Sequence, residues 1–342
     1  MVAVFRRAAV WVAGGIVLLV ALVAAGYRLL DRQDARKPAA VPQRVTIAYA
    51  KLPYAALAQI AQVKGYYDQE GLQVTPLVFT YGKLALEAVL KGDADCATVA
   101  ETPAMLALMN GADLMLLATI QISKQSHAIV ARRDRGIITP TDLRGKRVAI
   151  SFGTSGHFFL DAFLAAKGVS RDGITLVNMQ PERMPDALAK GSIDAISTWV
   201  PFLAQAHQRL GHLAVSFFDD DVYTLTFHMI AKRDFVRKNP EKVRKLLRAM
   251  LHAEQFSQDN PQSAQRVVAE FNEILPAEVE ALWHNSTFAL SLDQRLVLAL
   301  EDESRWAIKN GLTQRSTVPD YLDFVYLDGL RSVKPKAVSI LK

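Results

Sequence analysis

The chain has 342 residues, 51% of them hydrophobic, and 40 Lys+Arg against 34 Asp+Glu give a net charge of +6. This composition excludes a disordered chain, the length allows two domains or one large two-lobed domain, and the single cysteine, Cys96, can form no intrachain disulfide. Residues 1–44 carry +5 and the other 298 residues only +1. A basic tail is not the basic face that nucleic-acid binding requires, so no nucleic-acid partner is expected.

The N-terminal segment contains an uncharged run of about 20 residues between Arg7 and Arg28, the length that spans a ~30 Å hydrocarbon core as a helix. It predicts either an uncleaved transmembrane anchor or a cleaved secretion signal over residues 1–28. Arg6 and Arg7 precede the run and five basic residues follow it, a distribution that opposes a periplasmic position for the rest of the chain. Residues 29–44, with two prolines among charged and small residues, are expected to be a linker.

From residue 45 onward, short strand-like and helix-like segments alternate. Strands are predicted at 45–50, 72–79, 96–99, 114–120, 128–131, 147–150, 174–177 and 194–198. Helices are predicted at 55–67, 84–92, 103–110, 158–167 and 184–190. The alternation indicates βαβ units and mostly parallel sheets, in two α/β lobes that are joined near residues 121–131 and 222–231. After Pro240 the pattern is helical, with helices predicted at 240–259, 263–271, 277–285 and 292–309.

Signatures of catalysis and of metal binding are weak. Ser155, His157 and Asp161 lie close together in sequence at the start of one helix, without the G-x-S-x-G turn that presents a nucleophilic serine. The seven histidines show no metal-binding spacing, and no phosphate-binding G-x-x-x-x-G-K-[ST] motif occurs. We therefore expect no catalytic residue, no metal and no cofactor.

Several segments occur in a characteristic order along residues 45–325. They are GYYDQEGLQV (65–74), Gly82, LKGDAD (90–95), Pro103, DLRGKRVAI (142–150), GTSGHFFL (153–160), GSIDAISTWVPF (191–202) and VPDYLDF (318–324). In this order they resemble the nitrate/sulfonate/taurine class of periplasmic substrate-binding proteins of ABC transporters. The resemblance implies a periplasmic-binding-protein fold of the second type, with lobe 1 at residues 45–125 plus 226–342 and lobe 2 at residues 126–225. Two crossing strands would join the lobes, and a ligand would bind in the cleft between them.

The same resemblance implies a function. The chain would be the solute-binding component of an ABC importer, which captures a small anionic or zwitterionic solute and delivers it to a permease and its ATPase at the periplasmic side of the bacterial inner membrane. The N-terminal segment would tether it there, unless it is cleaved. Two alternatives stay open: a membrane-anchored ligand sensor with the same fold, and a pyrimidine-metabolism enzyme. The thiamine-pyrimidine synthases of this fold carry a cysteine-rich motif, which one cysteine cannot supply.

The segment 153–157 is predicted to be an anion cradle. Its small residues follow a strand and begin a helix, so backbone N–H groups and the positive helix end are directed to the carboxyl edge of the sheet. The hydroxyls of Thr154 and Ser155 add hydrogen-bond donors, although helix capping by one of them is the simpler interpretation. His157 is a candidate for ligand contact or for packing.

Loops at the ends of other strands supply the remaining candidates. Lys51 is a candidate partner for an anion and Glu101 for an amine. The ring of Trp199 is expected to pack on the ligand, and Val200 stands where the resembled family commonly has an acidic residue, which argues against a cationic ligand group. His127 is a weaker candidate on the first crossing. The candidate ligand-binding residues are Lys51, Tyr54, Tyr81, Gly82, Glu101, Thr102, Ser126, Thr154, Ser155, Gly156, His157, Trp199, Pro201 and Tyr223.

Overall fold

The structure, a computed structural model, describes residues 42–341. The predicted transmembrane or signal segment and residues 29–41 of the predicted linker lie outside this part of the chain. No helix within residues 42–341 is long and apolar enough to cross a membrane. From Gln43 onward the chain forms one unit that contains two β-sheets.

The strands of these two sheets alternate with helices through the first two thirds of the chain. The strands are β1 (Gln43–Ala50), β2 (Leu72–Phe79), β3 (Cys96–Ala100), β4 (Leu114–Ser123), β5 (His127–Arg132), β6 (Arg147–Ile150), β7 (Thr175–Asn178), β8 (Ala195–Trp199), β9 (Ala214–Phe217), β10 (Leu225–Lys232) and β11 (Ser286–Thr287). The first sheet has the order β11-β4-β10-β3-β1-β2, and the second has the order β7-β6-β8-β5-β9. We call each sheet, with the helices that cover it, the first and the second lobe.

Helices cover both sheets and make up most of the chain after residue 232. They are α1 (Ala56–Val63), α2 (Tyr66–Gln69), α3 (Gly82–Lys91), α4 (Glu101–Met109), α5 (Ser155–Ala166), α6 (Met184–Ala189), α7 (Phe202–Leu210), α8 (Arg233–Lys238), α9 (Pro240–Asp259), α10 (Pro261–Asn272), α11 (Pro276–His284), α12 (Gln294–Lys309) and α13 (Leu327–Val333). Pro240, Pro261 and Pro276 each occupy the first position of a helix, where the fixed φ of proline suits the helix and its missing N–H costs nothing. These prolines mark where successive helices begin in the helical region that the sequence predicts.

The parallel core of each lobe has the predicted βαβ arrangement. Strand β1 pairs in parallel with β2 and β3, and β6 pairs in parallel with β7 and β8. Parallel strands covered by helices on both faces are buried along their whole length, and all five residues of β3 and of β8 are buried. Because parallel strands end at the same edge, the loops after β1, β2 and β3 meet at one edge, and the loops after β6 and β8 meet at one edge of the second sheet.

The prediction of mostly parallel sheets is wrong outside these cores. Strand β10 is antiparallel to β3 and β4, and β5 is antiparallel to β8 and β9. The reason is that the chain leaves one lobe through residues 124–126 and returns through residues 218–224, so the strands next to these crossings enter their sheets in the opposite direction. The sequence pattern misses β10 because this strand is buried on both faces yet carries Thr226 and His228, which hide its apolar character. The lobe boundaries at 125/126 and 225/226 stay a prediction.

A buried pair of amide side chains joins the C-terminal helices to the first sheet. Gln59 on α1 and Asn272 at the end of α10 exchange two hydrogen bonds, of 3.1 Å from Gln59 Nε2 and 2.8 Å from Asn272 Nδ2. Gln59 Nε2 also donates to the carbonyls of Ala50, at the end of β1, and of Leu52. Because both amides are buried, the side-chain oxygen of each depends on the other residue for its donor. The pair therefore fixes the helical region against the strand end that leads into the site described below.

We predict that Asn272→Ala lowers the free energy of unfolding by about 2 kcal/mol, because it leaves the buried Oε1 of Gln59 without a donor. Urea unfolding followed by circular dichroism measures this change. Gln255→Ala on the exposed side of α9 is the matched control, with an expected change within about 0.5 kcal/mol. Equal losses in the two variants would contradict the importance of the amide pair.

Candidate ligand-binding site

A cavity lies where the strand ends of the two lobes face each other. The space between atoms at this place is about 310 Å³, a value that includes open solvent and is therefore an upper bound on the room inside the cavity. Both lobes supply its walls. The lining residues are Leu52, Tyr54, Tyr81, Gly82, Lys83, Ala100, Pro103, Leu225 and Phe227 from the first lobe, and His127, Thr154, Ser155 and Trp199 from the second. We call this set the interlobe cavity.

Three helices begin at the interlobe cavity. Their N-cap residues are Tyr81 for α3, Ala100 for α4 and Thr154 for α5, and none of the three makes a side-chain capping hydrogen bond. The first N–H groups of a helix have no acceptor inside the helix, and the helix dipole gives this end a partial positive charge. Lys83, in the first turn of α3, adds a full positive charge. Glu101 in the first turn of α4 offsets the positive end of that helix, so the starts of α3 and α5 together with Lys83 make the cavity electrostatically suited to a negatively charged group.

The segment 153–157, predicted to be an anion cradle, does begin helix α5 at the cavity. Its hydroxyl side chains do not cap the helix. Thr154 occupies the N-cap position, but its hydroxyl donates to the carbonyl of Ser151 at 2.7 Å. Gly156 allows close packing here, because a Cβ atom at this position would lie 3.0 Å from the carbonyl oxygen of Ser197 and 3.1 Å from the ring of Trp199. The start of α5 is thus held against β8, and no side chain caps its first amide groups.

Aromatic rings from both lobes form much of the cavity wall. The ring centroids of Tyr81 and Trp199, on opposite lobes, are 6.3 Å apart. Tyr54 and Phe227 lie 5.9 Å apart in the first lobe, and His127 lies 5.7 Å from Trp199 in the second. The indole Nε1 of Trp199 is buried and has no acceptor within residues 42–341.

A buried hydrogen-bonded chain of side chains ends at the cavity. His127 Nδ1 lies 2.8 Å from the hydroxyl of Ser126, and His127 Nε2 lies 2.9 Å from the hydroxyl of Ser155. Burial lowers the pKa of His127 from 6.5 to about 3, so the ring is neutral at physiological pH. A neutral imidazole has one donor and one acceptor nitrogen. The chain therefore orients the Ser155 hydroxyl at the start of α5.

The contact between Ser155 and His127 has the distance of a nucleophile and its general base, but its environment differs from that of a catalytic pair. The third member of the chain is the hydroxyl of Ser126, not a carboxylate that would stabilise an imidazolium. The low pKa of His127 also makes it a poor proton acceptor near neutral pH. The arrangement orients a hydrogen-bonding hydroxyl and gives little support to nucleophilic catalysis.

Glu101 lies behind the cavity wall and is fully engaged. Its Oε1 accepts a hydrogen bond from the hydroxyl of Tyr223, and its Oε2 accepts from Thr226 N at 2.8 Å and Thr226 Oγ1 at 3.2 Å. Burial raises its pKa to about 6, and the hydrogen bonds from Tyr223 and Thr226 oppose that rise. The carboxyl of Glu303 is buried nearby, and burial and the neighbouring Glu101 raise its pKa as well. Glu101 thus ties the second crossing to the start of α4 and does not reach the cavity.

The structure brings six of the predicted ligand-binding residues together at the cavity: Tyr54, Tyr81, Gly82, Thr154, Ser155 and Trp199. The other eight do not line it. Lys51 forms an ion pair of 2.6 Å with Glu273, and Gly156 packs under Trp199. Glu101, Thr102, Ser126 and Tyr223 are buried behind the wall, and Pro201 is the N-cap residue of α7.

His157 faces away from the cavity, toward a contact between α5 and α12. Its ring centroid lies 5.0 Å from that of Trp306, and its Nε2 lies 3.9 Å from Asp161. Asp161 Oδ2 accepts from Trp306 Nε1 and from Arg171, both at 2.8 Å. Because α5 belongs to the second lobe and α12 packs on α4 of the first, these contacts hold the two lobes together.

Sequence reasoning singled out none of the lining residues Leu52, Lys83, Ala100, Leu225 and Phe227 as ligand contacts. Lys83 carries the clearest missed signal, because a lysine in the first turn of a helix opposes the helix dipole and so needs a functional explanation. Its Nζ donates to the carbonyl of Phe152 on the other lobe at 2.9 Å. The sequence does not single out Phe227 as a candidate, because its pattern does not predict strand β10.

Comparison with known proteins places the chain in a family. The model described as NMT1/THI5 like matches residues 53–264, which is more than half of the chain. The chain belongs to the NMT1/THI5-like family. This confirms the class of protein that the sequence motifs indicate, and the family region includes every residue that lines the interlobe cavity except Leu52.

Two curated proteins and one solved structure show what this NMT1/THI5-like chain is similar to. The riboflavin-binding protein RibY of Chloroflexus aurantiacus is 27% identical over 275 residues, 72% of this chain and 74% of that protein. The taurine-binding periplasmic protein of Escherichia coli is 25% identical over 233 residues, 64% and 68% of the two chains. The alkanesulfonate-binding protein SsuA from Xanthomonas axonopodis pv. citri, solved with bound MOPS, is 21% identical and superposes with a TM-score of 0.71 over 84% of this chain and 99% of that one. The likeness to SsuA shows the periplasmic-binding-protein fold.

A pH dependence follows from the buried polar side chains near the cavity. His228 on β10 is fully buried between Thr119 and Thr226, and burial lowers its pKa from 6.5 to about 3. Between these two pH values the unfolded chain binds a proton that the folded chain does not. The contribution of neutral His228 to the free energy of unfolding is therefore fully present above pH 6.5. It is lost as the pH falls, by about 1.4 kcal/mol per pH unit.

We predict that His228→Asn reduces the slope of unfolding free energy against pH, between about pH 6 and pH 4, by about 1.4 kcal/mol per unit. Urea unfolding at several pH values measures the slope, which is independent of the overall stability that the variant loses. Gln255→Ala, an exposed substitution that removes no titratable group, is expected to leave the slope unchanged. If His228→Asn also left the slope unchanged, His228 would not be the group that takes up the proton on unfolding.

Proposed function

We propose that this chain is the solute-binding component of an ABC importer. It captures a small anionic or zwitterionic solute in the interlobe cavity and delivers it to a permease on the periplasmic side of the inner membrane. The relatives named above are binding proteins for small molecules, and one of them is periplasmic by name. The capture is non-covalent, because the side chains at the cavity bind and orient but do not form a supported catalytic set.

One observation carries the proposal: the three uncapped helix starts and Lys83 converge on a cavity that both lobes enclose. Such an arrangement neutralises the charge of a bound anion with backbone dipoles that need no reorganisation. A ligand that contacts both lobes also binds the closed arrangement better than an open one. Ligand occupancy is thereby converted into a change of surface that a permease can recognise.

Contacts that cross the cleft support closure around the solute. Tyr54 accepts a hydrogen bond from Val200 N at 3.2 Å and donates to the carbonyl of Ser126 at 3.3 Å. Lys83 reaches the carbonyl of Phe152 on the second lobe. Because Tyr54 and Lys83 also line the cavity, the residues that sense the solute are among those that join the lobes.

The first test is a thermal-shift screen of the purified protein against sulfonates, nitrate, carboxylates, amino acids and heteroaromatic compounds. A solute that binds the folded state raises the midpoint of unfolding, by an amount that grows with its concentration. We expect at least one organic anion to do so. A screen in which no small molecule stabilises the protein would count against solute capture.

We further predict that Ser155→Asp weakens the affinity for the best compound of that screen by at least about 100-fold, because it places a negative charge at the start of α5. Isothermal titration calorimetry measures the affinity. Ser170→Asp adds the same charge at an exposed position outside the cavity and is expected to bind normally. Unchanged binding by Ser155→Asp would show that the start of α5 does not contact the solute.

A further inference from the structure

Two carboxyl groups lie against each other behind the wall of the interlobe cavity, where neither can contact a solute. Glu101 begins α4 and Glu303 lies on α12, and the two residues are 0% and 2% exposed. Their side chains are hydrogen-bonding neighbours, yet an ionised carboxylate has no proton to donate to another. Two ionised carboxylates in contact at a buried site are strongly unfavourable, so this pair requires a proton.

The surrounding hydrogen bonds distinguish the two carboxyl groups. The oxygens of Glu101 accept from the Tyr223 hydroxyl and from the backbone and side chain of Thr226. Glu303, in contrast, has a buried oxygen, Oε2, that meets no donor within residues 42–341. Three donors stabilise a negative charge on Glu101, whereas a protonated Glu303 needs an acceptor, which Glu101 provides. The hydrogen bonds therefore favour a charge on Glu101 and a proton on Glu303.

The titratable groups that face Glu303 carry no positive charge. They come from α4, from the second crossing, from α12 itself and from the segment after α12, and they are Glu101, Tyr223, Asp302 and Tyr321. Any charge on these groups is negative, and Arg315, which acts on Tyr321, is exposed. Burial and the neighbouring Glu101 accordingly raise the pKa of Glu303 well above its usual range.

The carboxyl pair connects three parts of the molecule. Glu303 belongs to α12, Glu101 to the start of α4, and Tyr223 and Thr226 to the chain that returns from the second lobe. Tyr223 also packs on His127, a residue of the cavity wall, with ring centroids 4.9 Å apart. Loss of the proton would leave two buried negative charges at this junction, and their repulsion would act on the second crossing and on the wall.

We propose that Glu303 keeps a proton at neutral pH, which it donates to Glu101 in a hydrogen bond, and that this proton makes solute capture dependent on pH. The inference rests on the proposed function, because it concerns the regulation of the same cavity. While the proton is bound, the second crossing is tied to α4 and α12. As the pH rises, the proton passes to the solvent, the tie weakens and the affinity for the solute falls.

Urea unfolding of the full-length protein at several pH values tests whether the folded chain holds the proton. Glu303 has its ordinary pKa of 4.5 in the unfolded chain, so its contribution to stability is present below pH 4.5 and is lost as the pH rises through the folded pKa. Glu303→Gln keeps a donor for Glu101 without the titration. We expect the unfolding equilibrium constant of the wild-type protein, relative to this variant, to rise about tenfold per pH unit between about pH 5 and pH 7.

Infrared spectroscopy detects the proton directly, because the C=O stretch of a carboxylic acid is separate from the carboxylate bands. We expect the wild-type protein at neutral pH to show a carboxylic acid band that Glu303→Gln lacks. Glu280→Gln, at an exposed position on α11, is the matched control and is expected to keep both this band and the wild-type dependence of stability on pH. Identical bands in the wild-type protein and Glu303→Gln, or a ratio of unfolding constants that is independent of pH, overturn the inference.

Isothermal titration calorimetry tests the effect on capture, with the best compound of the thermal-shift screen whose own charge is constant over the pH range. We expect the wild-type protein to bind it at least about fivefold more weakly at about pH 9 than at about pH 6, and Glu303→Gln to show a much smaller change. An equal change in the two proteins overturns the inferred regulation, while binding at the lower pH still supports the proposed function. Failure of every compound to bind counts against both.

Discussion

The buried carboxylate of Glu101 is the point on which the arrangement of the two lobes depends. It begins helix α4 at the end of a central strand of the first sheet, and it accepts hydrogen bonds from Tyr223 and Thr226 on the chain that returns from the second lobe. A buried charge without these donors would be strongly unfavourable. The return crossing is therefore anchored at the cavity, and the strand ends of the two sheets are held face to face.

This anchoring explains why the cavity has its particular electrostatics. In each lobe the helices begin at the carboxyl edge of a parallel core, so bringing the two edges together also brings the helix starts together. The neutral His127 adds no charge at the wall, and the carboxylate of Glu101 offsets the positive end of α4. The starts of α3 and α5, one lysine and a group of aromatic rings remain at the cavity.

Stability and binding use the same polar side chains in different ways. His228 and the pair formed by Gln59 and Asn272 are enclosed by partners and serve the fold, whereas Ser155 and Trp199 line the cavity. His157 and Trp306 join the lobes away from the cavity. The start of α5 therefore carries a cavity residue, Ser155, next to a residue of the contact between the lobes, His157.

The sequence by itself determined the class of fold, the parallel core strands, the helical C-terminal region and the helix start at α5. These features are local: alternating apolar segments, helix-ending glycines and a small-residue turn before a helix are readable from neighbouring residues. The tertiary structure alone decided which candidates meet. Lys51 pairs with Glu273, Glu101 turns behind the wall, and Lys83 and Phe227 line the cavity, because contacts between residues far apart in sequence set the direction of each side chain. The same holds for the antiparallel strands, whose direction follows from the two crossings and leaves no periodic signal in the chain.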